Sequence, residues 1–448
     1  MVVTYDIIKR LCECGYHAYI TGGVVRDTLA GLPSDDEDIV TNATPDELQS
    51  IFQDCHVLTV GKSFGVTLVD GIEVATYRAD RYAGLNARDC EVSFVETLNE
   101  DLARRDFTIN AMAFCQFTGD VVDPFDGRVD LNNRLIRFVG KPEDRINEDP
   151  NRIIRACRFR AKLQGKFEKS TLEALKKHAH YIHDYVANER IRLEILKSME
   201  IKRASLFFQS LFEIGALHYI FPSLAGCVGH DHGKHHREDV FTHCMICGDH
   251  ISTKFPLLKL AGYLHDVGKP EAWTDDGRFI GHERVGAEIV RSELVRLRFS
   301  LDEIEKIEGL IRTHMSARAA LHEISPKVAH KLLAEFALRH VDFRDFLRLR
   351  VADRVANLHR ENIPFDTFRA MYKKFYYVLN TPKAPFTVKD LAVNGRDVME
   401  LLDVPPGPVV GKILRALFAL VLERGPDFNE RPLLLTFLRN VYRRNANE

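Results

Sequence analysis

Residues 20–41, ITGGVVRDTLAGLPSDDEDIVT, constrain this chain more than any other stretch. An apolar strand runs into the Gly22-Gly23 pair. A short helix with Val24, Val25 and Leu29 on its apolar side follows, and a Gly/Pro turn leads to a second strand bearing Asp36 and Asp38. Two adjacent glycines let backbone N–H groups approach a triphosphate closely, and the helix N-terminus behind them adds a positive dipole end. Residues two apart on a strand point the same way, so Asp36 and Asp38 present oxygen ligands to one Mg²⁺ site. Such a site activates an attacking hydroxyl and stabilises a leaving pyrophosphate. An unbroken acidic run such as residues 35–38 is by itself an ordinary solvated turn. Here it opens an apolar strand, Ile39-Val40, and Ile39 with Val40-Thr41 favours the pair Asp36/Asp38 over Asp35/Glu37.

The chain is 448 residues long, too long for one ordinary core, so two to four domains are expected. Residues 1 to about 140 alternate strand-like and helix-like patterns, with strands expected at 57–60, 66–69 and 72–77 and a helix start at Pro45 capped by Thr44. Residues 78–91, RADRYAGLNARDCE, lack periodicity and read as a mobile loop. From Asn147 the pattern becomes helical and stays so. No apolar run approaches the ~18 residues of a membrane span, and the N-terminus reads as an amphipathic helix without a signal-peptide layout. Nine cysteines without disulfide-like spacing point to a reducing, cytoplasmic setting. A net charge of −2 announces no nucleic acid globally, but Arg152, Arg155, Arg158 and Arg160 gather basic charge locally.

The glycine pair and the two aspartates resemble the nucleotidyltransferase superfamily of DNA polymerase β, and more closely the class II tRNA CCA-adding enzyme and poly(A) polymerase family. The chain departs from that pattern in having Glu37, not an apolar residue, between the aspartates. RRDFTINAMA at 104–113 matches the family's second motif over ten residues. The resemblance makes Gly22, Gly23 and Arg26 phosphate ligands, Arg105 and Asp106 triphosphate and ribose contacts, Asn110 their support, and Glu73, in Ile72-Glu73-Val74, a third metal-site carboxylate. VDPFDG at 122–127 resembles the third motif, a turn joining head to neck. Residues 188–196 resemble the fifth, a helix supporting the neck. A loop at 78–91 is associated in the family with adding the terminal A, which leans against CC-only addition.

EDPNR at 148–152 resembles the fourth motif, with Asp149 and Arg152 as base readers, expected three apart on one helix face. Cytosine and adenine each present an amino donor beside a ring-nitrogen acceptor, whereas guanine and uracil present the reverse. An Asp acceptor beside an Arg donor therefore fits C and A and meets like with like against G and U. Arg155 and Arg158 continue the spacing and are expected to contact phosphate further along the groove.

A separate constellation follows. His243, the His265-Asp266 pair within LHDVGK, and Asp353 appear in the order that resembles the HD phosphohydrolase domain. Imidazole plus carboxylate ligands suit a divalent transition metal or Mg²⁺. His282 and His314 are candidates for a second metal position. Of His230, His232, His235 and His236, one or two are expected at the pocket mouth. Cys244 and Cys247 read as helix core. By resemblance the HD domain carries phosphatase, 2′-nucleotidase and 2′,3′-cyclic phosphodiesterase activity.

The expected architecture is an α/β nucleotidyltransferase head of polymerase β type (residues 1–139), a helical neck with the base-selecting motif (140–225), an HD domain (226–360) and a helical tail (361–448) whose Arg439, Arg443 and Arg444 suit a tRNA. The expected function is template-independent addition of CCA to a tRNA 3′ end from CTP and ATP, with 3′-end repair by the HD domain. Neither membrane nor DNA is an expected partner. The alternatives are CC-only or A-only addition, poly(A) synthesis, or chiefly phosphohydrolysis with a head that holds RNA.

Overall fold

A computed structural model describes residues 4–34, 37–59, 65–82, 90–232, 237–274, 277–316, 324–358, 365–381 and 384–445. The chain divides into two compact units, Met1–Pro222 and Ser223–Glu448.

The first unit opens with the Thr4–Glu13 helix, which buries Ile7, Ile8 and Leu11 at helical spacing. Strands follow as β1 (Ala18–Thr21), β2 (Asp38–Thr41), β3 (Val57–Thr59), β4 (Val66–Val69), β5 (Ile72–Thr76), β6 (Arg78–Tyr82), β7 (Cys90–Phe94), β8 (Ala113–Phe114) and β9 (Val121–Val122). Seven of them form one sheet in the order β3-β4-β5-β2-β1-β8-β9. Only the central β2–β5 pair is parallel, with Ile39 opposite Val74; β1 pairs antiparallel to β2, with Thr21 opposite Asp38. This register matters because one residue back along the β2–β5 ladder stand Asp38 and Glu73. Thr44 caps the Pro45–Ile51 helix reciprocally with Glu47, as the sequence predicts.

Two expectations require correction. Residues 78–91 are not simply a loop: β6 and β7 pair antiparallel from Arg78–Phe94 to Tyr82–Cys90, while residues 83–89 lie outside the described set. Arg78 and Asp80 are held by ion pairs, Arg78 to Asp80 and Arg104 to Asp80, which a periodicity reading cannot see. Nor do Asp149 and Arg152 share one helix. The Pro142–Glu148 helix ends at Asp149, whose backbone is extended (φ −147°), and a new helix runs Asn151–Leu163. Pro150 is the reason, since a proline ring disfavours helical geometry in the residue before it.

Phe107, inside the second motif, is fully buried. Its ring stacks on Phe138 at 4.8 Å and meets Phe159 edge-on at 5.5 Å, tying that motif to the Asn151–Leu163 helix.

The second unit is helical; its described residues hold no strand beyond an isolated bridge between Trp273 and Phe279. Helices Val240–Asp249, Pro256–Leu264, His282–Arg296, Leu301–Thr313 and Phe343–Ala356 surround a histidine-rich centre. Cys244 and Cys247 are buried in the first of these, as expected. Further on, Gly395–Leu402, Pro408–Arg424 and Arg431–Asn445 form their own core of Val398, Leu417, Val421 and Leu434. No helix among the described residues is long and apolar enough to cross a membrane.

Phe107→Ala is expected to lower the unfolding free energy of the first unit by about 3–5 kcal/mol, measured by urea denaturation.

Candidate functional site

A cleft of about 600 Å³ opens in the first unit, lined by β1, β2, β5, β6 and the helices behind them. Gly22, Gly23 and Asp38 lie on one part of its wall, Arg105, Asp106 and Asn110 on another, and Asp149, Arg152, Arg155 and Arg158 on a third. Glu73 also lines it, next to Asp38 through the β2–β5 register. Asp36 lies outside the described residues. Gly22 adopts φ +78°, and a Cβ there would sit 3.4 Å from Arg105 Nη1 and 3.5 Å from Asp38 Oδ2. Glycine thus supplies the left-handed turn and leaves the space between that cation and that carboxylate open.

Nearly every charged group of the cleft has a partner. Arg26 is buried, donates to both oxygens of Asp27 at 2.9 and 2.8 Å and reaches Asn110 Oδ1 at 2.5 Å. Arg105 pairs with Asp101 at 3.2 Å. Asp106 accepts from Arg155 Nε and Nη2 at 2.8 and 2.6 Å and from Asn110 Nδ2 at 2.8 Å. Burial pushes the Asp106 carboxyl up, but Arg155, Asn110 and Arg152 outweigh it and hold it at about 2. Arg158 is bound by Glu194 at 2.5 Å. Arg152 donates to Glu148 (2.5 Å), Arg145 O (3.0 Å) and Arg104 O (3.2 Å). Arg190 grips Asp149 with both terminal nitrogens, at 2.8 and 2.7 Å. Phe159 lies under the guanidinium groups of Arg26, Arg155 and Arg158, 4.4–5.4 Å from its ring centre.

Four further charged residues belong to the cleft: Glu148 holds Arg152, Arg190 holds Asp149, Glu194 holds Arg158, and Lys197 lines the wall, and neither composition nor the motif resemblance gives any of them a site role. The signal was the spacing of Arg190, Glu194 and Lys197, which places all three on one face of the Asn188–Met199 helix.

The second unit gathers His243, His265, Asp266, His282 and His314, all buried, and the partly exposed Asp353 into one cluster. Three overlapping triads, His232/His243/Asp266, His243/His265/Asp353 and His265/Asp266/His314, each have ligand atoms within 4.8 Å of one another. Asp266 faces two ways. Its Oδ1 lies 3.2 Å from His282 Nε2 and 3.5 Å from His314 Nε2, and its Oδ2 lies 3.3 Å from His265 Nε2 and 3.7 Å from His243 Nε2. His243 Nε2 is 3.2 Å from Asp353 Oδ1.

The outer ring nitrogens show that this cluster fits a divalent ion. Nδ1 of His265, His282 and His314 faces the carbonyl oxygens of Gly262 (2.9 Å), Phe279 (2.8 Å) and Ile311 (2.6 Å), and Nδ1 of His243 faces Glu238 at 3.3 Å. A proton held outside at Nδ1 leaves each Nε2 lone pair pointing inward, as metal-ligating histidines require. Burial opposes ionisation of Asp266, yet His265 and Lys269 outweigh it and keep the carboxyl well below the usual range. Lys269 Nζ sits 2.5 Å from Asp266 Oδ2. Gly268 is part of the same design: a Cβ there would run into the His282 carbonyl oxygen and the Gly286 backbone, so only glycine lets the His282–Arg296 helix approach Asp266.

His232, expected at most at the pocket mouth, is buried in the cluster with Nε2 3.3 Å from Asp266 Oδ2. Glu238 and Lys269 were not anticipated as its neighbours; the acid five residues before His243 was the available signal for Glu238. His235 and His236 lie outside the described residues.

Three family models match this chain. The "Poly A polymerase head domain" family matches residues 18–137, the "Probable RNA and SrmB- binding site of polymerase A" matches 166–227, and the "HD domain" matches 233–364. An A-adding tRNA nucleotidyltransferase of Deinococcus radiodurans is 32% identical over 422 residues, covering 89% of this chain and 90% of the relative. A CCA-adding enzyme of Levilactobacillus brevis is 30% identical, covering 96% and 95%. The structure of the Bacillus stearothermophilus CCA-adding enzyme in complex with CTP superposes with a TM-score of 0.69 at 25% identity, covering 98% of this chain and 97% of that one.

The Asp106–Arg155 pair has a defined pH signature. The folded carboxyl titrates near 2 and the ordinary value is 3.8, so the pair's stabilisation is complete above about pH 4 and is lost as pH falls through 2. Arg155→Ala is expected to cost about 2–3 kcal/mol at pH 7, and the difference from wild type is expected to shrink toward zero near pH 2, read from urea denaturation at each pH.

Proposed function

This chain belongs to the tRNA nucleotidyltransferase family that contains the CCA-adding and A-adding enzymes, and on that premise we propose that it adds C, C and A without a template to the 3′ end of tRNA, using CTP and ATP. The observation that carries this reading is one cleft that brings together the Gly22-Gly23 turn, Asp38 and the Asp149/Arg152 pair. The second unit is proposed to hydrolyse phosphate esters at damaged 3′ ends as phosphatase, 2′-nucleotidase and 2′,3′-cyclic phosphodiesterase. Eight free thiols among the described cysteines support a cytosolic setting.

Asp36, Asp38 and Glu73 would hold Mg²⁺, an all-oxygen donor set that suits it. When bound, it supplies charge neutralisation for the triphosphate and a lowered pKa for the attacking 3′ hydroxyl. The backbone amides at Gly22 and Gly23 bind phosphate oxygens. Arg26 and Arg105, already held by carboxylates, contribute positive field at fixed positions and need no reorganisation when substrate arrives. Arg155 and Arg158 are committed to Asp106 and Glu194, so their part is to orient Asp106 toward the ribose and to keep the cleft cationic. Asp149 accepts from the amino group of C or A while Arg152 donates to the neighbouring ring nitrogen. Against G or U each would meet its own kind, at about 1–3 kcal/mol per mismatch.

In the second unit His243, His265, Asp266 and Asp353 would hold one divalent ion, with His282 and His314 on the other oxygen of Asp266 for a second. Four imidazoles favour a transition ion over Mg²⁺. When bound, it supplies Lewis acidity toward a phosphoryl oxygen.

One specific observation favours a second reading, addition of the terminal A alone: the full-length relative at 32% identity is A-adding. The two readings differ in whether CTP is used on a tRNA that ends at its discriminator base.

The two-site account predicts separable losses. Asp38→Ala lowers nucleotide addition by at least about a hundredfold and leaves phosphoester hydrolysis within about twofold, and His265→Ala does the reverse. Both activities are measured on each purified variant. Loss of both in either one contradicts the account.

A further inference from the structure

We propose that Arg190 is the positioning residue that fixes the Asp149 carboxylate for base selection. This rests on the reading that Asp149 selects the base. Asp149 occupies an extended position between two helices, with Pro150 next, so no helix of its own restrains its side chain. Its orientation is set by two contacts. Arg190 donates from Nη1 to Oδ1 at 2.8 Å and from Nη2 to Oδ2 at 2.7 Å, and the Asn151 amide donates to Oδ1 at 3.1 Å.

A carboxylate offers about four acceptor sites. The planar fork takes one on each oxygen and thereby fixes the plane of the group. The remaining acceptor capacity then points one way. Asp149 lines the cleft, and Arg190 reaches it from the Asn188–Met199 helix, so the proposed action of Arg190 is through Asp149. Arg190 rises from the first turn of the Asn188–Met199 helix, and one turn later Glu194 holds Arg158 at 2.5 Å. One rigid helix face therefore anchors both the base-selecting acid and an arginine of the facing helix.

Discrimination needs this rigidity. A carboxylate free to turn away from uracil or guanine no longer meets their carbonyl oxygens, and Arg152 alone can donate to either kind of edge. The side chains of Arg190 and Asp149 are 40% and 15% exposed, so the pair contributes little to global stability while setting geometry.

The test compares kcat/KM for CTP with UTP, and for ATP with GTP, in wild type, Arg190→Gln, Arg190→Lys, Asp149→Ala and the Arg190→Gln/Asp149→Ala double variant. The expected result is a fall in both ratios of about tenfold or more in Arg190→Gln. Arg190→Lys should resemble it, because lysine keeps the charge and loses the fork. Melting temperatures should stay within roughly 3 °C, and Arg190→Gln should have no further effect on the ratios in the Asp149→Ala background. Wild-type selectivity in Arg190→Gln, or in Arg190→Lys alone, overturns the fork, provided Asp149→Ala loses selectivity. An added effect in the double variant overturns action through Asp149. Unchanged selectivity in Asp149→Ala overturns the base-reading premise, and the proposal with it.

Discussion

The ion pair between Asp106 and Arg155 is the contact on which the charged cleft of the first unit depends. A buried carboxylate stays ionised only where a cation compensates for lost water, and Arg155 reaches Asp106 from 49 residues further along the chain. The pair can form only when the Asn151–Leu163 helix is docked against the second motif, to which the Phe107–Phe159 contact ties it. From there the charges run on: Arg155 and Arg158 to Glu194, and Arg190, on the same helix as Glu194, back to Asp149. The cleft is a lattice of mutually held charges, and its cations are fixed by the protein's own carboxylates, as preorganised electrostatic stabilisation requires.

The second unit solves a related problem with the opposite composition. There a single carboxylate, Asp266, is shared by five imidazoles, with His282 and His314 on one oxygen and His232, His243 and His265 on the other. Backbone carbonyls and Glu238 take the outer ring nitrogens, so the inward lone pairs are left for a cation. The small size of Gly268 is what admits the His282 side of the cluster.

Much of this was legible in the sequence because it is local. The Thr44 cap, the amphipathic first helix, the glycine turn, and the candidate ligand histidines within helical patterns depend on residues a few positions apart. Glu73 was reachable only by analogy until the parallel β2–β5 register set it beside Asp38. What the sequence did not reveal depends on distant partners. The pairing of β6 with β7 and the salt bridge from Asp80 to Arg104 turned an aperiodic stretch into a ribbon. The break between Asp149 and Arg152 is the exception, because Pro150 beside Asp149 is a local signal that outweighs their three-residue spacing. Arg155 and Arg158 looked like free phosphate ligands because Asp106 and Glu194 are remote in the chain. His232 looked solvated among its neighbouring histidines, yet burial beside Asp266 makes it part of the cluster.

The central claim is that one cleft selects C and then A at a tRNA 3′ end. The most direct measurement incubates the protein with Mg²⁺ and a tRNA transcript ending at the discriminator base, supplies CTP and ATP separately and together, and resolves the products one nucleotide at a time. The account predicts two additions with CTP alone and three with both nucleotides. No extension with CTP, and a single A added only to a transcript already ending in CC, would contradict it and establish the narrower A-adding activity.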